Sequence, residues 1–237
     1  MSNDRLLGMR FARIIAGLDG GVAVIDRFCE AGQLMLDGDG AAITASYDRP
    51  ERHTLSWTSA LALMIEDAQD VAGEGPGFDA VRTREVVSAE FGMRRPTPWP
   101  LLEDTVAGLG FTGSILALPV VAADRSLGAL VVHRHHTSLT FDPATARFLA
   151  ANLGAALSEE LSPEELDREL TEDWSGRAVV HQATGMVTVQ LRIMPSDALV
   201  VMRAHAYQQG TSLIDVAMSV VERELAFNGF EGGDTDG

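Results

Sequence analysis

The chain has 237 residues, 46% of them hydrophobic, with a formal net charge of -16 at pH 7. Such a length suits one large domain or two small ones, each able to bury a core, and the acid excess opposes indiscriminate binding to polyanions. The single cysteine, Cys29, excludes an internal disulfide framework, and no apolar run is long enough to span a bilayer as a helix.

Met1 to Leu18 reads as a helix with Leu6, Leu7, Phe11, Ile14, Ile15 and Leu18 spaced as one apolar face. The pair Gly20-Gly21 interrupts it, and a second helix is expected from Val22 to Leu36. The period then changes. Ala41 to Tyr47 and His53 to Thr58 are apolar or β-branched runs flanked by Asp, Gly and Pro, as strands are. Ser59 to Asp70 is helical in pattern. Gly73-Glu74-Gly75-Pro76-Gly77 ends that helix as a turn and leads into a short one near Phe78. Arg84 to Ala89 is a candidate strand, and Trp99 to Leu109 a helix closed by Gly110. Ser114 to Ala122 and Leu127 to Arg134 form a central hairpin, and Asp142 opens a long helix with Pro143 at its first position. The order of elements predicts an α+β domain with an antiparallel sheet and flanking helices.

Composition shifts after Leu157. Ser158 to Asp173 holds eight acidic residues against the single Arg168, the mark of a solvated helical linker. Leu157, Leu161, Leu166 and Leu170 continue as an apolar stripe that a partner helix would cover, which suggests a homodimer. Three helical segments follow. Ser175 to Leu191 carries Val179, Ala183, Met186 and Gln190 on one face, with Gly185 allowing close backbone approach. The next opens at Pro195-Ser196-Asp197, carries Ala198, Met202 and Ala206, and stops at Gly210. The last is capped by Ser212 with Asp215 three residues on, and its apolar face is Leu213, Val216, Ala217, Val220 and Leu225. The expected organisation is a sensor-type domain at 1–157, an acidic helical linker at 158–174, an all-α three-helix domain at 175–227 and a flexible tail at 228–237, with a long helix as the joint.

Residues Arg177-Ala178-Val179-Val180-His181-Gln182-Ala183-Thr184-Gly185-Met186-Val187, Pro195-Ser196-Asp197-Ala198, Arg203 with Ala206, and Leu213-Ile214-Asp215-Val216-Ala217 together resemble an ANTAR domain. The resemblance implies an RNA-binding transcription antitermination module that works as a dimer on stem-loops of a nascent transcript. Unstacked loop bases offer edges and faces that an A-form groove hides, and arginine clamps phosphate and stacks on bases. The candidate RNA-binding residues are Arg177, Gln182, Thr184, Arg192, Arg203 and His205. The family usually carries Lys where Thr184 stands. Trp174 to Ala226 balances four Arg against four carboxylates, so a second reading stays open, in which the helical domain docks a protein partner and no longer binds RNA.

Val22 to Leu157 is similar to GAF domains, through Asp39-Gly40-Ala41-Ala42-Ile43, Gly73 to Ala80 with Arg84-Glu85-Val86-Val87, and the hairpin of Ser114 to Val121 with Leu127 to Arg134. GAF domains hold small molecules between sheet and helices or serve dimerisation alone. Trp57, Phe78, Trp99 and Phe111 are the candidate walls of a ligand pocket. Relatives often have Cys where Phe78 stands, so no thiol switch is expected there, nor covalent bilin attachment at Cys29. No cofactor or metal is expected: His133-Arg134-His135-His136 lacks a completing ligand set and reads as a strand end entering a surface loop. Glu74 would repel an anion from the glycine-rich turn, and no nucleophile elbow or zinc helix occurs. The whole predicts a ligand-responsive, RNA-binding regulator rather than an enzyme. Met1 to Arg10 lacks the features of a signal peptide, so a cytoplasmic location is expected.

Overall fold

The computed structural model describes residues 3–18, 21–45, 52–92, 96–122, 125–160 and 177–227. It divides into two compact units, residues 1–162 and 163–237. In the first, the order is α1 (Asn3–Gly17), α2 (Val24–Met35), β1 (Gly40–Ala45), β2 (His53–Trp57), α3 (Ala60–Ala72), α4 (Pro76–Thr83), β3 (Val87–Phe91), α5 (Pro100–Gly108), β4 (Gly113–Ala122), β5 (Arg125–His135) and α6 (Pro143–Glu160). The second contains α7 (Arg177–Leu191), α8 (Pro195–Gln209) and α9 (Leu213–Val221).

The strands make one sheet in the order β2-β1-β5-β4-β3, every pair antiparallel. Successive side chains of a strand point to opposite faces, and here both faces are covered. Ala41, Ile43, Leu116, Leu118, Val120, Leu130 and Val132 form one core with Leu7, Cys29, Met35 and the α6 residues Leu149 and Leu153. Their neighbours Ile115, Ala117, Ala129 and Val131 form the other, with Ile65, Ala80, Phe91, Leu102 and Phe111. This is why β1, β4 and β5 read as continuous apolar runs rather than alternating ones. Each fully buried Leu contributes roughly 1.5–3 kcal/mol, so Leu149 and Leu153, with Ala146 and Leu157, bind α6 to the sheet.

Local chemistry sets the element ends. The Ser59 side chain accepts from the Ala62 amide at the start of α3, and Gly73 closes that helix in the left-handed region. Pro76 stands at the first turn of α4. Arg84, expected in a strand, instead ends α4 with φ 59°, so β3 begins only at Val87. Asp142 accepts from the Ala144 and Thr145 amides before α6. Ser212 and Asp215 form a reciprocal capping box on α9. Tyr47, the stripe residues Leu161, Leu166 and Leu170, and nearly all of the acidic stretch lie outside the described residues.

Two helical glycines differ sharply. A Cβ at Gly154 would stand 2.4 Å from the Val121 backbone carbonyl oxygen of β4, so α6 and β4 touch through backbone. At Gly185 a Cβ would meet nothing within 4 Å, which corrects the expectation of a close approach there. Gly154→Ala should therefore destabilise the chain by about 1–3 kcal/mol through overpacking. Gly185→Ala should stabilise its helix by about 0.5–1 kcal/mol. Paired denaturant titrations check both signs.

Candidate RNA-binding surface and sensor core

In the C-terminal unit, the buried stripe of α7 is Val180, Ala183, Thr184 and Val187. This is rotated from the expected Val179, Ala183, Met186 and Gln190. Thr184 takes a place in the stripe. Its hydroxyl donates to the Val180 carbonyl at 2.7 Å, and a hydroxyl satisfied by its own helix can turn inward. Thr184 is 6% exposed, so the structure does not place this candidate on an RNA-accessible surface. Buried Ala198, Leu199, Met202 and Ala206 of α8 and Val216, Ala217 and Val220 of α9 complete the core. Small side chains at Ala183, Ala198, Ala206 and Ala217 let the three axes pack closely.

The other candidates separate by position. Gln182, Gly185 and Val189 follow one another at i, i+3 and i+7, all exposed, on the side of α7 away from its buried stripe. Val189 is 76% exposed. Arg192 follows at the end of α7, exposed and in the left-handed region with φ 56°. Arg203 and His205 are both half-buried, flanking opposite sides of the buried stripe of α8. The His205 ring packs edge-on to Phe227 at 5.4 Å, and the Phe227 amide donates to Gln190 Oε1 at 3.0 Å. These contacts hold the segment after α9 against the bundle and engage the imidazole. Arg177 begins α7; its side chain lies outside what the structure describes. Gln182 thus lies on the outward side of the unit's first helix and the exposed Arg192 just beyond its end, whereas Thr184 is buried and Arg203 and His205 are half-buried on α8.

In the N-terminal unit, the four expected pocket aromatics also divide. Trp57 is 49% exposed on the edge strand β2. Phe111 is fully buried against Phe91 and His133, a core residue. Phe78 and Trp99 do line an open cleft of about 520 Å³ with Gly73, Glu74, Asp79, Val81, Arg82 and Pro98. Trp99 Nε1 donates to Asp79 Oδ2 at 3.2 Å, and Glu74 accepts the Leu101 amide at the start of α5 at 2.7 Å. The turn carboxylate therefore caps a helix instead of facing a ligand phosphate.

Beneath this cleft lies a polar cluster that composition and motif reading missed. Arg52 and Glu66, with side chains only 2% and 0% exposed, meet at 2.6 Å. Arg52 Nη2 also donates to Thr44 Oγ1 at 3.0 Å, and Nη1 reaches Asp70 Oδ1 at 3.4 Å. Its guanidinium carbon sits 4.5 Å from the Phe78 ring centroid. Gln69 bridges the pair to the next helix, donating to Glu66 Oε1 at 2.6 Å and accepting from the Gly77 amide at 2.8 Å. Burial pushes the Glu66 carboxyl up to about 7, with Arg52 pulling against it. The available signal was the pair Glu66 and Gln69, polar residues spaced i and i+3 that fall among the apolar residues Ala62, Ile65 and Ala68 of the helix.

The histidine cluster is a strand end entering a loop, as expected, with β5 closing at His135, but it is not bare surface. His133 is 3% exposed, its ring edge-on to Phe111 at 5.9 Å. A Cβ on Gly40 would lie 2.3 Å from its ring, so the glycine of the Asp39-Gly40 step makes room for the imidazole. Burial holds His133 down near 4, with Asp39 opposing the shift. His135 stacks on Phe111 at 5.5 Å and His136 on His135 at 3.8 Å. Among the described residues no group of three or more His, Cys, Asp or Glu is arranged to hold a metal. Cys29 is buried and its thiol pushed up to about 12, chiefly by burial, which removes it from thiolate chemistry.

Comparison with known families assigns both units. The GAF domain family matches residues 9–161 and the ANTAR domain family residues 168–221. The chain belongs to the GAF family and carries an ANTAR domain behind it. The GAF–ANTAR arrangement implies an RNA-binding antitermination regulator of transcription; neither family match is to a catalytic domain. Similar solved structures include several GAF domains. The GAF domain of an Acinetobacter phosphoenolpyruvate-protein phosphotransferase is 17% identical with a TM-score of 0.44, over 68% of this chain and 98% of that one. Its Coxiella burnetii counterpart is 15% identical with a TM-score of 0.46, over 67% and 96%. The GAF-B domain of DevS from Mycobacterium smegmatis is 15% identical with a TM-score of 0.42, over 60% and 96%. No curated protein matches the sequence significantly. No helix among the described residues of this GAF–ANTAR chain is long and apolar enough to cross a membrane.

The His133 ring should stay neutral well below the ordinary imidazole range. Its folded pKa is depressed, so the stability it confers is present above about 6.5 and is lost as pH falls through about 4. Imidazole NMR in the folded chain should show His133 not yet titrating at pH 5, and a midpoint near 6.5 contradicts its burial.

Proposed function

We propose that this GAF–ANTAR chain is a cytoplasmic, dimeric regulator whose RNA affinity responds to a small molecule in its GAF unit. The observation that carries the RNA side is the outward face of α7. Gln182 supplies amide donors and an acceptor, Gly185 one turn on has open space at its Cβ, and the exposed Arg192 just past the helix end adds a guanidinium fork. A surface of this kind suits unstacked bases and their phosphates: the smooth glycine admits a base, and the flanking polar groups read its edges. The ANTAR match supports the target class. Arg177 belongs to the proposal through the family resemblance, while Arg203 and His205 act less directly, through the packing of α8.

The reading is tested by fluorescence anisotropy on a paired stem-loop RNA over a range of salt. Binding should weaken steeply with salt, because phosphate contacts release counterions. Arg192→Ala should lower affinity several-fold and flatten the salt slope by about one unit. Thr184→Val should leave the slope unchanged, since its hydroxyl is spent within α7. Absence of any salt-sensitive binding, with Val189 and Met194 each more than two-thirds exposed, favours the second reading, a helical unit that docks a protein partner.

The sensing half of the proposal makes a separate demand. A compound bound to the GAF unit must alter RNA affinity, and RNA must alter the compound's affinity by the same factor. Equal RNA affinity with and without saturating compound removes the switch while leaving the RNA-binding role intact.

A further inference from the structure

The buried cluster around Arg52 has the chemistry of a receptor for a cation, and its occupant comes from the chain itself. Two carboxylates, Glu66 and Asp70, a hydroxyl from Thr44 and the face of Phe78 converge on one guanidinium. The backbone is shaped to that group as well. A Cβ on Gly77 would stand 2.6 Å from Arg52 Nη2, so the guanidinium fills the volume that any other residue at 77 would take. A flat, delocalised cation suits this combination of aromatic face and in-plane acceptors; a compact ammonium would leave the aromatic face poorly used.

Arg52 fits the site imperfectly. Its Nε is buried and makes no hydrogen bond among the described residues. Only Nη2 engages Glu66, whose second oxygen is taken by Gln69, and Nη1 reaches Asp70 at a long 3.4 Å. Arg52 directly precedes β2, the edge strand of the sheet. Its reach and angle are therefore fixed by a strand whose register with β1 is already set. A buried donor left without an acceptor is costly, and a guanidinium free of the main chain can turn to satisfy it.

We propose that this cluster is a guanidinium-recognition site, filled by Arg52 in the unliganded chain and taken over by a free guanidinium compound that displaces the Arg52 side chain. The proposal rests on the sensor reading of the GAF unit and names the chemical class that unit would detect. Arg52 is then an internal competitor. A short tether gives a group a local concentration in the millimolar range or above, so the intact chain binds a free guanidinium more weakly than a chain without Arg52 does.

The test uses full-length Arg52→Ala and methylguanidinium chloride at low millimolar concentration. Sodium chloride and tetramethylammonium chloride at equal ionic strength serve as controls. Methylguanidinium should raise the unfolding temperature of Arg52→Ala by several degrees over both controls. It should bind that variant at least tenfold more tightly than the wild-type chain, and Arg52→Ala with Glu66→Gln should lose the response. Equal effects of the three salts on a folded Arg52→Ala overturn the proposal. Should that variant not fold, the wild-type chain decides, through NMR of arginine side chains labelled with nitrogen-15. The slowly exchanging Arg52 guanidinium signals should shift or collapse on titration, and signals unmoved by methylguanidinium overturn it. RNA affinity measured in the same samples separates the two layers. Rescue with no change in RNA affinity supports the guanidinium site and removes the sensor reading, whereas failure of rescue removes the site whatever the RNA result.

Discussion

Placing the Glu66 carboxylate at the centre of the GAF unit, fully out of water, obliges the surrounding chain to supply a cation and hydrogen-bond donors. An isolated buried carboxylate is strongly unfavourable, and breaking such a pair by removing one partner costs far more than the pair is worth in net stability. Arg52 from the start of β2, Thr44 from β1, Gln69 from α3 and the Gly77 amide from α4 all answer to that requirement. Four elements are thereby held in one relative arrangement. The glycine at 77 and the Gly73-to-Pro76 turn follow, because α4 can approach the sheet only where no side chain meets the guanidinium.

The C-terminal unit solves its packing by a different route. Many of its core residues are small, Ala183, Ala198, Ala206 and Ala217 among them, so the contribution of each of those side chains is modest. Definition comes instead from the ends. The Ser212–Asp215 capping box starts α9, Gly210 stops α8, and the Phe227 amide closes onto Gln190 of α7. The outward side of α7 carries no such duties, which leaves Gln182, Val189 and Arg192 available for recognition.

Much of this architecture was legible in the residues. The apolar runs at 114–122 and 127–134, the Ser59 and Ser212 caps and the Pro-initiated helices all carry local signals strong enough to act alone. What escaped was set by partners distant in sequence. Arg52 lies in a stretch of Pro, Glu, Arg and His that reads as loop, and only its meeting with Glu66, fourteen residues away, makes it a core residue. Thr184 looked like a surface polar group because its satisfaction within α7 is invisible to a hydropathy pattern. His133 looked like part of an exposed tract, and its burial depends on Gly40, a strand away in the sheet. The aromatic residues could be ranked by size but not by direction, so Trp57 and Phe111 were grouped with Phe78 and Trp99. In the ANTAR unit, helix phase about α7 decided which of its candidates reach solvent, and Thr184 fell on the buried side.

The contact between α6 and β4 at Gly154 has a mechanical meaning. Most helices rest on a sheet through a cushion of side chains whose rotamers absorb small displacements. Here helix backbone bears directly on the Val121 carbonyl, beside the point where the β4–β5 register shifts. Leu149 and Leu153 cushion the rest of the helix, but at Gly154 nothing lies between the two backbones, so a movement of that strand end presses on the helix directly. The last element described before the acidic stretch is therefore coupled to the sheet as a stiff lever, with its fulcrum at a residue that has no side chain to yield.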